Sequence, residues 1–428
     1  VMLTAWLMVI LIASIAVGAP IAVALGLTAA GYFLLKGQSA FLFLVAQRLF
    51  AGCNSFELIA IPLFVLTGDL MLEGAISKAL VNLAKSIVGW MRGSLALATT
   101  LGSAFFGAVS GSGPATASAI GSIVAQPMLE EGYPKPYISA VIAASAPLGT
   151  LIPPSILMVV YGAATGTSIA KMLMAGIGPG VLFCGLFMIY EIFVGRKARY
   201  GSVAPFSIAQ FLTALKQGIW ALIAPLIILG GIYSGIFTPT EAAAVAVFYS
   251  LLIGVFVNRT IKLKDIPSIL LRSGVTAGAI MFVLGTVSAF GYVITREGIP
   301  QQLTVAATSA VHSPLVFLII VQFILIIAGM FMNGSAVIIL LAPILYPTVI
   351  HYGIDPVYFG GLMVANLAIG MYTPPVAVTS YVAARIVGAS FDETNKALIP
   401  FLIVSLVAIV ILLIVPGIIT FIPGYLLG

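Results

Sequence analysis

The stretch GTLIPPSILMVVYG, Gly149 to Gly162, sets two adjacent prolines in the middle of an apolar run long enough to cross a membrane. A proline at position i has no N–H and leaves the carbonyl of residue i−4 without its helical partner. Pro153 and Pro154 therefore release the carbonyls of Gly149 and Thr150. Lipid offers them nothing, and non-helical backbone at that depth is tolerated only where it is buried in protein or lines a watered cavity. The break has to face something polar.

The rest of the chain fixes the setting. Of 428 residues, 61% are hydrophobic and 7% charged, and the mean hydropathy is +1.22. A soluble domain carries about 25% charged residues. Apolar runs of spanning length follow one another here along nearly the whole sequence, as in an all-α polytopic membrane protein. Val1 to Val17 reads as the first span and not as a signal peptide, because no basic segment precedes it. Soluble catalytic or nucleic-acid-binding modules have no room, and the net charge of +6 is a topology signal. Cys53 and Cys184 lie in separate apolar segments and read as packing residues.

The opening stretch has an echo in GMYTPPVAVTSYVAA, which begins at Gly370. Pro374 and Pro375 repeat Pro153 and Pro154 at an offset of 221 (153 to 374), and the same offset pairs Gly149 with Gly370, Gly132 with Gly353, Tyr137 with Tyr358 and Pro179 with Pro400. The chain thus reads as two repeats, 1–210 and 211–428. The first has an interrupted apolar hairpin at about 95–130 and a broken helix at about 137–165. The second has its hairpin at about 314–350 and its broken helix at about 357–384.

Basic residues orient the spans, since cytoplasmic loops are enriched in Lys and Arg. Running Val1 inward leaves only Lys36, Arg48, Lys171 and Arg296, of 18 basic residues, on the outer side. The second repeat then starts on the inner side and runs upside down relative to the first. Its hairpin enters from outside, while the first enters from the cytoplasm. Inverted repeats with broken helices are the pattern of secondary transporters, whose site lies at the repeat interface near the midplane. The amphipathic stretches Phe41 to Leu49, Lys78 to Trp90, Asp265 to Arg272 and Gln301 to Ser309 read as interfacial arms bracing a scaffold.

One break can serve two charges. The C-terminal end of the first half-helix presents carbonyls to a cation, and the N-terminus of the second presents N–H groups and positive dipole to an anion. Pro374 and Pro375 release the carbonyls of Gly370 and Met371 in the same way. The hairpin tips offer small polar groups, Ser110, Gly111, Ser112, Gly113 and Pro114 in one and Asn333, Gly334 and Ser335 in the other. Tip and break are expected to meet within each repeat. Ser145 and Asn366, which share the offset, lie about one turn before the breaks and can add side-chain oxygens.

A single intramembrane proline pair is ordinarily only a kink, and a Gly/Ser cluster only a close-packing surface. Two pairs at one offset, each preceded by an interrupted hairpin, point instead to a site. Tips and breaks contain no Asp, Glu, His or Lys, and proton relays need titratable groups, so neutral ligands favour Na⁺ as the coupling ion. Among the remaining acids, Glu57, Asp69 and Glu241 are placed near span ends, and Glu191 within reach of the headgroups beside Arg196 and Lys197.

With GSGPATASAIG at Gly111 to Gly121, PLGTLIPPS at Pro147 to Ser155 and IGMYTPP at Ile369 to Pro375, the whole chain resembles the large membrane subunit of the tripartite ATP-independent periplasmic (TRAP) transporters of bacteria. The resemblance implies an inner-membrane importer and not an enzyme. It implies no cofactor, two sites for coupling Na⁺, an elevator-like transport domain, and an organic acid substrate such as a C4-dicarboxylate or sialic acid. It also implies a small membrane subunit and a periplasmic substrate-binding protein as partners. By resemblance, ion binding falls on the tips and breaks already named, with Pro153 and Thr373 added. Substrate binding falls on the space between them, at Pro114, Thr116, Pro154, Ser155, Pro374, Pro375 and Thr379. The alternatives are a stand-alone ion-driven anion transporter and an ion channel. Val1 is not a methionine, which leaves room for a longer precursor or a small subunit fused upstream.

Overall fold

The computed structural model describes residues 7, 9–11, 13, 14, 17–74, 76–200 and 205–427; the expected first span, Val1 to Val17, lies largely outside them. Every regular element among the described residues is helical. Seven of these helices are long and apolar enough to cross a membrane, or up to 9 if each of two bent pairs is one span.

The first hairpin consists of Ser94–Ser110 and Gly113–Glu130, and the second of Pro314–Phe331 and Gly334–His351. The first broken helix runs Lys135–Ser145 and Leu148–Leu151, breaks, and resumes as Ile156–Thr165 with a 44° bend. The second runs Pro356–Gly370 and resumes as Val378–Val387. The offset read from the prolines holds in the backbone: Gly113 and Gly334 begin corresponding helices, Glu130 and His351 end them, and Lys135 and Pro356 begin the next. Each half-helix stops where a proline cannot donate, and Ser155 restarts the first by accepting from the Met158 N–H.

Around this centre stand Ile21–Leu35, Leu42–Cys53, Ala60–Glu73, Pro239–Leu252 and Ile266–Arg296, which pack mainly on one another, and Ile208–Tyr233, which lies between Pro239–Leu252 and Ile76–Val88. Helices Ile76–Val88 and Ile299–Ala310 lie against the first and second hairpin respectively. Two expectations change here. Asp265 to Arg272 is no separate arm, because it continues into one helix of 31 residues, Ile266–Arg296. Its counterpart in the first repeat breaks at Asn54 and Ser55, where the second has Val275 and Thr276; Ser273 also donates to the Asp69 carboxylate, and Arg272 pairs with Glu73. The last expected span, Ala397 to Phe421, divides at Pro416 into Phe391–Ile414 and Gly417–Leu427.

The half-helices after the breaks change sides. Ile156–Thr165 packs on the second repeat's Gly334–His351, and Val378–Val387 packs on the first repeat's Gly113–Glu130 and Lys135–Ser145. Tyr161 donates to the Pro356 carbonyl at 2.9 Å, and Thr379 Oγ1 to the Ala143 carbonyl at 3.1 Å. One apolar core therefore runs through both repeats without a seam.

Candidate functional site

The two tips and the two breaks meet around a cavity of about 290 Å³. Gly111 closes the first tip at φ 63°, a left-handed conformation that suits glycine, and any Cβ there would collide with the Pro154 carbonyl. A Cβ on Gly113 would stand 2.9 Å from Met371 Sδ, and one on Gly334 would stand 3.1 Å from Leu157. Each tip therefore touches the other repeat's break or half-helix, a contact that the expectation of meetings within each repeat did not include. The helices themselves approach as closely: a Cβ on Gly107 would lie 2.5 Å from Gly149 Cα, and one on Gly370 would lie 2.7 Å from the Gly329 backbone.

Ten of the expected site residues line the cavity. Gly111, Ser112, Gly113 and Pro114 come from the first tip, Asn333, Gly334 and Ser335 from the second, and Thr150, Gly370 and Met371 from the breaks. Ser110, Thr116, Gly149, Ser155, Thr373 and Thr379 lie behind that surface, buried. Ser145 and Asn366 are fully buried one turn earlier. Pro153 and Pro154 are buried, while Pro375 is exposed, and none of the four prolines of the breaks is a lining residue. Thr276 and Ile280 complete the wall from Ile266–Arg296, with Ile156 and Leu157, Gly329 and Met332, and Val376 to Val378. These were not foreseen. Thr276 is one of six serines and threonines in its helix, and its hydrogen goes to the Arg272 carbonyl at 3.1 Å.

The chain's own donors take three of the four released carbonyls. Ser155 Oγ donates to Thr150, the Thr373 N–H to Gly370 at 3.2 Å, and the Thr379 N–H to Met371 at 3.0 Å, with the one Thr379 hydroxyl hydrogen shared between the Met371 and Ala143 carbonyls, each 3.1 Å from Oγ1. The hydroxyls make the opposite offer. Thr150 Oγ1 donates to the Pro147 carbonyl at 2.8 Å, Thr373 Oγ1 to Ile369 at 2.7 Å and Thr116 Oγ1 to Ser112 at 2.8 Å. A hydroxyl whose hydrogen is so engaged keeps its oxygen lone pairs for another partner.

Four helices begin at the cavity wall: Gly113–Glu130, Ile156–Thr165, Gly334–His351 and Val378–Val387. No lining residue carries a formal charge. These four N-termini bring partial positive charge that favours an anion, and the helix ends at Ser110, Leu151, Phe331 and Gly370 bring carbonyls to the same wall that favour a cation.

The acids lie elsewhere. Asp69 meets Ser273 and Arg272, and Glu241 caps its own helix by accepting from Thr238. Glu191 differs from expectation. It is fully buried, with Thr100 Oγ1 of the first hairpin 2.5 Å from its Oε1.

A family profile described as "Tripartite ATP-independent periplasmic transporter, DctM component" matches residues 8–418. The chain is 40% identical over 382 residues to the C4-dicarboxylate TRAP transporter large permease protein DctM of Pseudomonas aeruginosa, covering 89% of this chain and 90% of that one. It is 34% identical over 411 residues to the sialic acid TRAP transporter large permease protein SiaM of Vibrio cholerae, covering 96% of each. Among solved structures, the Alcanivorax borkumensis YdaH transporter superposes with a TM-score of 0.62 at 18% identity, over 92% of this chain and 90% of that one, a likeness of fold alone.

Proposed function

The chain belongs to the DctM component family of tripartite ATP-independent periplasmic transporters, and from that premise we propose that it is a Na⁺-driven importer of an organic acid anion in the bacterial inner membrane. The observation that carries this reading is the convergence of four helix N-termini on one cavity whose lining holds no titratable side chain. Such a field receives a carboxylate without an arginine clamp. C4-dicarboxylates and sialic acids, the substrates in the names of two relatives, both carry carboxylates.

Na⁺ fits the neutral oxygens of Ser110, Ser112, Thr150 and Asn333 beside the ends of the preceding helices. Thr150 Oγ1, whose hydrogen is on the Pro147 carbonyl, acts there as a lone-pair donor. The hairpins and broken helices form the moving body and the surrounding bundle the scaffold, in an elevator movement. The word tripartite in the family's description supports a small membrane subunit and a periplasmic binding protein as partners.

The test is thermal unfolding of the purified chain while NaCl is titrated against KCl and choline chloride at constant ionic strength. A ligand that binds only the folded state stabilises it by about 2.7 kcal/mol at a hundred times its dissociation constant. We expect a saturable rise with Na⁺ alone, followed by Na⁺-dependent uptake in vesicles supplied with binding protein and small subunit. Equal curves in all three salts would remove Na⁺ from the reading.

A further inference from the structure

Glu191 has no place in the cavity, yet it is the most completely buried acid among the described residues, at 0% exposure about two turns before the end of the spanning helix Ile177–Ala198. No ion pair reaches it among the described residues. An isolated carboxylate in such a place is very costly, and ionisable groups kept inside a membrane mark functional sites.

The hydrogens can be counted. Three contacts run in a row: Glu191 Oε1 to Thr100 Oγ1 at 2.5 Å, Thr100 Oγ1 to Ser145 Oγ at 2.7 Å, and Ser145 Oγ to the Val141 carbonyl at 2.7 Å. A carbonyl brings no hydrogen, so the two hydroxyls supply two hydrogens for three contacts. A third is needed, and only the carboxyl can carry it. With a proton on Glu191 every contact is filled: the acid donates to Thr100, Thr100 to Ser145, and Ser145 to Val141.

The exposed end of its own helix is close. Glu191 lies five residues before Arg196, about 7.5 Å along the helix at 1.5 Å per residue, and Arg196 and Lys197 are exposed. Near that end Tyr133, Tyr137 and Tyr200 stack, with ring centres 4.6 Å apart for Tyr133 and Tyr200 and 6.3 Å for Tyr133 and Tyr137. The hydroxyls of Tyr133 and Tyr137, one oxygen of Glu131, Ser139 Oγ and Glu191 Oε2 are all buried without a partner. Five unpartnered polar atoms in this one region contrast with the usual near-complete pairing of buried groups.

We propose that Glu191 is a proton-binding site, loaded from the basic-flanked end through Tyr133 and Tyr137, whose proton completes the row that ties hairpin and broken helix to the span. One proton joins one carboxylate oxygen, an O–H bond forms, and no other bond changes. The titratable groups around it are Tyr190 and Cys184 on its own helix, Tyr137 on the broken helix, and Tyr133 and Glu131 beyond the hairpin. The hairpin arm Ser94–Ser110 contributes none, and the acids and lysine of Phe391–Ile414 (Asp392, Glu393, Lys396) and Tyr425 of the last helix are exposed.

The site stands apart from the Na⁺ reading, and infrared spectroscopy of the purified full chain tests it without transport. At neutral pH the wild type should show a protonated-carboxyl C=O band that is missing from Glu191→Gln, whose amide keeps a donor toward Thr100. Thr100→Val, which keeps the acid and removes its partner, should move the band to higher frequency. Tyr137→Phe should slow the band's shift in heavy water several-fold. A wild-type spectrum without that band, or a band unmoved by Thr100→Val, would overturn the proton site; exchange at the wild-type rate in Tyr137→Phe would overturn the route.

Discussion

The two breaks share an offset but are closed by different chemistry. At the first, Ser155 covers the Thr150 carbonyl, and one turn earlier Ser145 joins Thr100 and through it the buried Glu191. At the second, Thr379 covers Met371, and one turn earlier the Asn366 amide donates to Gln322 at 2.8 Å through its side chain and at 3.0 Å to its backbone. Both repeats thus tie the hairpin's first arm to the broken helix at the same level. One tie includes an acid, and the other is a pair of neutral amides. Burial differs as well, since Pro153, Pro154 and Ser155 are buried while Pro375 and Val376 are exposed. The comparison teaches that the duplicated geometry is what the site requires, and that access and protonation were free to diverge.

The steepest way to break the symmetry is at the glycines. A Cβ on Gly370 meets backbone of Gly329 at 2.7 Å, whereas one on Gly149 first meets the Thr116 hydroxyl, which can turn away. Gly370→Ala should therefore abolish uptake and lower stability by about 3 kcal/mol, within the range for overpacking. Gly149→Ala should cost less, and thermal unfolding of the pair with uptake assays reads the order; a reversed order would show that the close approach at Gly370 is not what limits it.

The polar ties come next. Asn366→Ala strands the buried Gln322 side chain and should cost about 2 kcal/mol, whereas Ser145→Ala leaves Thr100 a partner in Glu191 and should cost about 1 kcal/mol. Denaturant or thermal unfolding separates the two, and equal losses would mean that the acid contributes nothing to its tie. At the carbonyls, Ser155→Ala removes two hydrogen bonds, one from Met158 and one to Thr150, for about 1–2 kcal/mol. Thr379→Val keeps its N–H on Met371 and should lose less.

The smallest effect lies in the scaffold, where Lys36 of the first repeat meets Glu297 of the second at 2.7 Å. The hydrogen bond from the Lys36 ammonium, helped by Tyr32, holds the Glu297 carboxyl below the usual carboxylate range. A depressed acid stabilises the fold above its unfolded pKa, and that contribution is lost as pH falls through the folded value. Lys36→Met should cost under about 1 kcal/mol at neutral pH, and its melting curve should converge with the wild type's in acid. A gap that persisted there would assign the effect to packing instead.

Much of this architecture was legible because prolines and glycines report on backbone, and backbone is what the repeat conserves. Ile21–Leu35 begins and ends where its hydropathy does. Side-chain closure was less legible. Nothing in the sequence says that Ser155 and Thr379 turn inward onto the carbonyls released nearby, because the same residues read equally well as ligands. Glu191 was misplaced for a related reason: five residues from Arg196 it was within reach of the surface, and only the packing of Thr100 against it shows which way it faces. Thr276 joined the cavity wall through tertiary packing of a scaffold helix, and nothing in the sequence sets it apart from Ser268, Ser273, Thr286, Ser288 and Thr295 of the same helix.

The half-helices that cross from one repeat to the other have a mechanical meaning. Ile156–Thr165 rests on the second hairpin and Val378–Val387 on the first, so neither half of the polypeptide is complete by itself. The arrangement is that of a two-fold dimer with exchanged arms, written into a single chain. The first tip bears on its own half at Pro154 and on the opposite half at Met371, so a push there is felt by both halves together.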